Sequence, residues 1–158
     1  TMGGSVANSD PAADYPAAVV GLGATIRTDR REIAGDDYFK DLFETALEPG
    51  ELIREIVFPV PARAAYRKFR HPASRFAIAG VFVADMGGSV RVGVTGAGPC
   101  AFRWRALESA LGARIDPAAA ETAPLDHGRF NSDLAASAEF RAQLVRVMAR
   151  RAIEDMLA

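Results

Sequence analysis

The sequence predicts an α+β protein, on three observations. Strand-like runs rich in Val, Ile and Phe follow one another in its middle, a long terminal segment has apolar residues at helical spacing, and the pattern changes across a pair of prolines. The runs are Tyr66 to Arg70, Phe76 to Asp85 and Val90 to Thr95. Met86-Gly87-Gly88-Ser89 between the second and third has the composition of a tight hairpin, so antiparallel pairing is expected. Ser137 is a helix-capping residue type, and Phe140, Leu144, Val147, Met148, Ala152 and Met156 follow it on one stripe. Arg141, Arg146, Arg150 and Arg151 are expected to point mostly elsewhere. A further helix is predicted from about Trp104 to Leu111. Three antiparallel strands covered on one face by helices make a small second lobe, which begins where Pro61 to Ala65 interrupts the chain.

The first lobe is read in chain order. Thr1 to Asp14, with two adjacent glycines and a proline, reads as a loop. Tyr15 to Leu22 is a short apolar helix that Gly21 and Gly23 bring to an end. Ala24 to Arg27 and Arg31 to Ile33 form a hairpin around Thr28-Asp29-Arg30. Asp36 or Asp37 caps a short helix whose apolar face carries Tyr38, Phe39, Leu42 and Phe43. Pro49-Gly50 is a turn, and Leu52 to Val60 is a strand that Pro59 and Pro61 terminate.

Composition excludes several function classes. The chain has 158 residues, 49% hydrophobic and 25% charged, within ordinary globular ranges. With 19 basic and 20 acidic residues its net charge is -1, so no overall field attracts a nucleic-acid backbone. No apolar stretch reaches the ~18 residues of a membrane span and no signal core follows the N-terminus, which reads as a cytoplasmic protein. One cysteine, Cys100, and two histidines leave too few ligands for an iron–sulfur cluster or structural zinc. Redox chemistry would therefore come from a bound organic cofactor. His71 and His127 are read as surface residues, Trp104 and Cys100 as packing residues, and the acid pairs Asp36-Asp37 and Glu154-Asp155 as caps or solvated charges.

The most specific chemistry lies in Thr1-Met2-Gly3-Gly4-Ser5. Adjacent glycines let an anion approach the backbone, and flanking hydroxyls add donors, which suits a pyrophosphate. Asn8 and Asp14 supply an amide and a carboxylate at short range for sugar hydroxyls or an adenine edge. Taken alone, the same segment is equally a surface loop without a ligand. Gly96-Ala97-Gly98-Pro99-Cys100-Ala101 matches the glycine pattern of dinucleotide-binding turns, with Asp116 downstream. That motif needs a parallel strand–helix–strand unit, whereas the preceding strands read as a hairpin, so the glycines are assigned to a tight exit from an edge strand.

The chain resembles the FAD-binding medium subunit of molybdenum hydroxylases, of the carbon monoxide dehydrogenase and xanthine dehydrogenase type. The residues that carry the resemblance are T-x-G-G-S-x-A-N-x-D-P-x-x-D from Thr1 to Asp14, Glu48-Pro49-Gly50-Glu51-Leu52-Ile53, and Phe58-Pro59 with Tyr66-Arg67-Lys68-Phe69. Further on come Ser74-Arg75-Phe76-Ala77, Val94-Thr95-Gly96-Ala97-Gly98-Pro99 and Asp133 to Arg141. Two departures stand out: Met2, where another aliphatic residue is usual, and Ala135, where a His is frequent. The resemblance implies residues 1–60 to be the C-terminal lobe of an FAD-binding domain and 61–158 a carbon monoxide dehydrogenase flavoprotein C-terminal-like domain.

By the same resemblance, Thr1, Gly3, Gly4 and Ser5 hold the pyrophosphate, Asn8 and Asp14 the ribityl–adenosine portion, and Ile53 and Lys68 the flavin end. Read from residue type alone, Ile53 is equally a core residue and Lys68 a solvated strand lysine. All are binding roles, with no catalytic side chain and no metal ligand. The implied function is electron transfer from iron–sulfur clusters to an acceptor, as a part of an oxidoreductase complex that is inactive alone. The implied partners are a molybdenum-cofactor large subunit and a [2Fe–2S] small subunit. In this family FAD lies between two lobes, so one lobe by itself is expected to hold FAD weakly or not at all and to self-associate through the exposed face. The alternative is a docking module of the same fold that has lost FAD.

Overall fold

The computed structural model describes all 158 residues. It opens with a helix, α1 (Met2–Asn8), where a loop is expected. Thr1 caps it, its Oγ1 accepting the Gly4 amide at 3.1 Å, and Val6 is fully buried. The cap and the buried valine outweigh the ~1 kcal/mol by which each helical glycine is disfavoured. Ser9 ends the helix in the left-handed conformation, at φ 50. α2 (Tyr15–Leu22) follows and is closed by Gly23 at φ 64. Gly21 lies inside α2 rather than ending it, because a side chain there would strike the Phe82 ring.

β1 (Thr25–Thr28) and β2 (Glu32–Ala34) form the expected hairpin. The helix expected after Asp36 is shorter: α3 is one turn, Gly35–Tyr38, and its N-cap is Ala34. From Phe39 the chain is extended, as β3 (Phe39–Asp41), and returns as β4 (Glu44–Thr45). The reason is that Tyr38 and Phe39 both enter the core, with rings edge to face at 5.0 Å, which leaves Leu42 and Phe43 on the exposed hairpin tip. β5 (Ile53–Val57) then pairs antiparallel with the free side of β1, giving the strand order β2-β1-β5.

The second sheet contains β6 (Arg63–Arg70), β7 (Ala77–Asp85) and β8 (Val90–Thr95), antiparallel in sequence order, as expected. A two-residue fourth strand, β9 (Phe102–Arg103), adds to the edge beyond β8. β8 is therefore an inner strand, and the Gly96-to-Gly98 turn leaves the middle of the sheet rather than its edge. All pairing is antiparallel, which excludes the dinucleotide-binding reading of those glycines. α4 (Arg105–Ala113), the short α5 (Ala119–Thr122) and the long α6 (Ala138–Leu157) complete the chain, and Ser137 Oγ accepts the Phe140 amide to cap α6.

Alternation along β7 assigns the two faces. Ala79, Val81 and Val83 pack with Val92, Val94, α4 and α6 in the larger core cluster. Gly80 and Phe82 point the other way, toward α2, so the sheet is covered on both faces and not on one. On that second face a Cβ on Gly93 would meet the Ala17 carbonyl, so glycine there sets how closely α2 approaches. A second, smaller core gathers Val6, Val19, Val20, Ile26, Ile33, Tyr38 and Phe39 around β1 and α2. The buried stripe of α6 is Arg141, Leu144, Val145, Met148, Ala149, Ala152, Ile153 and Met156. It differs from the expected stripe in that Phe140 is exposed, Val147 is only half-buried and Arg141 is buried.

Candidate functional site

Asp14, at the N-cap position of α2, does not cap that helix; its carboxylate serves another purpose. Lys68 Nζ donates to it at 2.6 and 2.9 Å, and Tyr66 Oη donates to the same group at 2.6 Å. Lys68 and Tyr66 are two apart in β6, so both emerge on the face that α2 covers. Asp14 is brought there by its loop, which is bolted to the sheet. The Gly96 amide donates to the Pro11 carbonyl at 2.6 Å, and the Thr95 hydroxyl lies within hydrogen-bond distance of the Pro11 and Ala13 carbonyls. Burial, and then the Asp14 carboxylate, push the Tyr66 phenol well above its ordinary pKa, so it is a fixed donor. Lys68 is largely shielded, with 14% of its side chain exposed, whereas Asp14 presents 46% to solvent.

The structure therefore unites two residues that the resemblance assigns to different portions of FAD. The remaining expected residues surround α1. As first-turn residues, Met2 and Gly3 have amides without helical partners, and no other group in the chain accepts from them. A Cβ on Gly4 would press on Thr1 Oγ1 at 2.9 Å, so a side chain there would displace the capping hydroxyl. Gly3 is different: nothing lies within 4 Å of the position that its Cβ would take. Packing makes no use of glycine there, and the space it leaves adjoins free amides. Ser5 and Asn8 make no side-chain hydrogen bond within the chain, and Asn8 is exposed. Ile53 begins β5, is half-buried and packs on the smaller core beside α1.

Two residues at this site, Tyr66 and Thr95, carry no sequence signal beyond lying in quoted motifs. Two other motifs prove to be scaffolding. Glu51 is buried and accepts from Arg31 at 3.0 Å, from the Thr28 hydroxyl at 2.7 Å and from the Glu48 amide at 2.8 Å. Arg141 donates to the Ile78 and Gly96 carbonyls at 2.7 and 2.8 Å and to Asp133 at 2.7 Å. The Asp133-to-Arg141 motif thus fastens α6 to the ends of β7 and β8, and Asp133 also accepts the Ala135 and Ala136 amides. The Ala135 side chain is exposed and takes no part in that fastening.

Residues 1–61 match the family model described as the FAD binding domain in molybdopterin dehydrogenase. The whole chain is similar to the carbon monoxide dehydrogenase medium chain of Afipia carboxidovorans, 33% identical over 176 aligned positions, covering 98% of this chain and 59% of that protein. Residues 1–61 are thus identified with the FAD-binding domain of the molybdopterin dehydrogenases, and the chain as a whole is similar to the medium subunits of molybdenum hydroxylases. The nicotine 6-hydroxylase medium subunit of Paenarthrobacter nicotinovorans is 32% identical, over 98% of this chain and 60% of its own length. Among solved structures, reconstituted CO dehydrogenase from Oligotropha carboxidovorans superposes with a TM-score of 0.86 at 32% identity, covering 99% of this chain and 60% of that one. The chain thus spans about 60% of the length of those relatives. No helix in it is long and apolar enough to cross a membrane.

Proposed function

We propose that the chain supplies one side of an FAD site and works as the electron-transferring medium subunit of a molybdenum hydroxylase. The free amides of Met2 and Gly3, with the Thr1 and Ser5 hydroxyls and the close approach permitted by Gly3 and Gly4, receive the pyrophosphate. Asn8 and Asp14 hydrogen-bond the ribityl–adenosine portion, and Ile53 offers an apolar surface. Lys68, held by Asp14, adds a positive charge that is oriented before the cofactor arrives. FAD would supply the redox chemistry, transferring one or two electrons, while the protein's residues bind and orient it. Residues 1–60 are read as the FAD lobe and 61–158 as the C-terminal domain, a division supported by two core clusters of which the smaller takes only Ala101 and the adjoining Cys100 from beyond residue 60. The partners in this reading are a large subunit carrying the molybdenum cofactor and a small subunit carrying [2Fe–2S] clusters.

The observation that carries this reading is the unused space at Gly3, since a glycine that packing does not require is explained by a ligand that comes close. The test is a titration of FAD, followed by flavin fluorescence, into this chain and into an N-terminally extended form of it. The extended form is expected to bind more tightly. Gly3→Val and Lys68→Ala should each weaken binding about tenfold or more, equivalent to ~1.4 kcal/mol, with the folded structure retained. Failure of both forms to bind FAD overturns the reading.

A further inference from the structure

A cavity of about 190 Å³ opens between β3, the turn that joins β8 to β9, and the loop before α6. None of its lining residues belongs to the Asp14–Lys68 site. Phe102 and Phe130 form its aromatic wall, with ring centroids 5.6 Å apart, and Cys100 lies half-buried beside them. The wall is held in place: Asn131 donates from its side chain to the Gly98 carbonyl at 2.7 Å and from its amide to the Ala97 carbonyl at 2.8 Å. Two cations stand at the rim. The Lys40 ammonium has no partner in the chain, and Arg129 makes only a 3.3 Å contact with Asp41. The acid on the rim, Asp126, already accepts the Gly128 amide at 2.9 Å.

We propose that this slot binds a small planar aromatic carboxylate, its ring against Phe102 and Phe130 and its carboxylate at Lys40 and Arg129. The volume admits about a single substituted ring, which sets the expected affinity in the millimolar range. An aromatic wall rewards a flat ring over a puckered one, and an unpaired ammonium rewards an anion over a neutral amide. The proposal is independent of the FAD reading, because it uses none of the same residues.

Cys100 is the only cysteine of the chain, so its alkylation reports access to the slot. Burial first, and then Asp41, raise its pKa, so the reaction is run at mildly alkaline pH. The rate of labelling by iodoacetamide is measured by mass spectrometry with benzoate, benzamide or cyclohexanecarboxylate present. Saturating benzoate is expected to slow labelling about tenfold, and the other two much less. The double variant Lys40→Ala, Arg129→Ala should keep the fold, as both side chains are exposed, and should lose the protection. Because Arg129 lowers the Cys100 pKa, the variant labels more slowly than the native chain without benzoate, and adding benzoate should leave that rate unchanged. Labelling that is indifferent to benzoate, slowed equally by benzamide or cyclohexanecarboxylate, or still protected in the double variant overturns the proposal.

Discussion

Asp14 and Glu51 each bind one cation and one hydroxyl from distant parts of the chain, Lys68 with Tyr66 and Arg31 with Thr28. The difference between them is exposure. Glu51 has none of its side chain exposed and its two oxygens are saturated by protein donors, one of them the Glu48 amide. Asp14 is nearly half exposed and keeps access to solvent at the mouth of the site. A buried carboxylate with every lone pair engaged is committed to the fold, because loosening any one bond strands a polar group. An exposed carboxylate that holds a shielded lysine can exchange a bond with a ligand at small cost.

That contrast is open to direct attack, and the largest effect is expected at Glu51. Glu51→Ala strands the Glu48 amide and leaves the Thr28 hydroxyl and Arg31 with only the Arg31 and Ala46 carbonyls as acceptors. The thermal midpoint should fall on the order of ten degrees, measured by circular dichroism. Acid should act on the same group in a defined window. Arg31, then the Glu48 amide and the Thr28 hydroxyl, hold the Glu51 carboxyl at about 2 against an ordinary 4.5. The unfolded chain therefore takes up this proton first as pH falls. The contribution is complete above 4.5 and is lost as pH drops towards about 2. Urea midpoints followed across that interval should decline more steeply in the native chain than in Glu51→Gln. The lowered pKa values of Asp36, Asp85, Asp133 and Asp155 add an acid loss common to both.

The smallest effect on stability is expected at the other carboxylate. Lys68→Ala removes an ion pair whose acid is nearly half exposed, which amounts to ~0–1 kcal/mol by urea unfolding. A loss as large as that of Glu51→Ala would make the Asp14 pair structural and would erase the contrast. A small loss accompanied by weaker FAD binding would sharpen it.

Elements with strong local signals were legible. Ser137 and the apolar spacing after it give α6, the glycine hairpin gives β7 and β8, and Gly23 closes α2. Where reading failed, a tertiary contact had outweighed a local preference. Glycines argued for a loop at residues 1–8, but Val6 buries its side chain and Thr1 caps a helix. Leu42 and Phe43 argued for an apolar helix face, but the turn is spent on seating Tyr38 and Phe39 together. Arg141 was expected among the solvated arginines of α6, because charge alone does not reveal that two sheet carbonyls and Asp133 await it inside.

The candidate site divides in the same way. The sequence by itself determined the family resemblance, the α+β class, the antiparallel order of the main strands and the residue types offered to a flavin, because these rest on short-range spacing and motif order. Only the tertiary structure decided that Asp14 and Lys68 share one ion pair, that Tyr66 completes it, that Gly3 faces open space and that Glu51 and Arg141 serve the fold. The physical reason is that hydrogen bonds between groups far apart in the chain depend on strand register and burial, which no local pattern encodes.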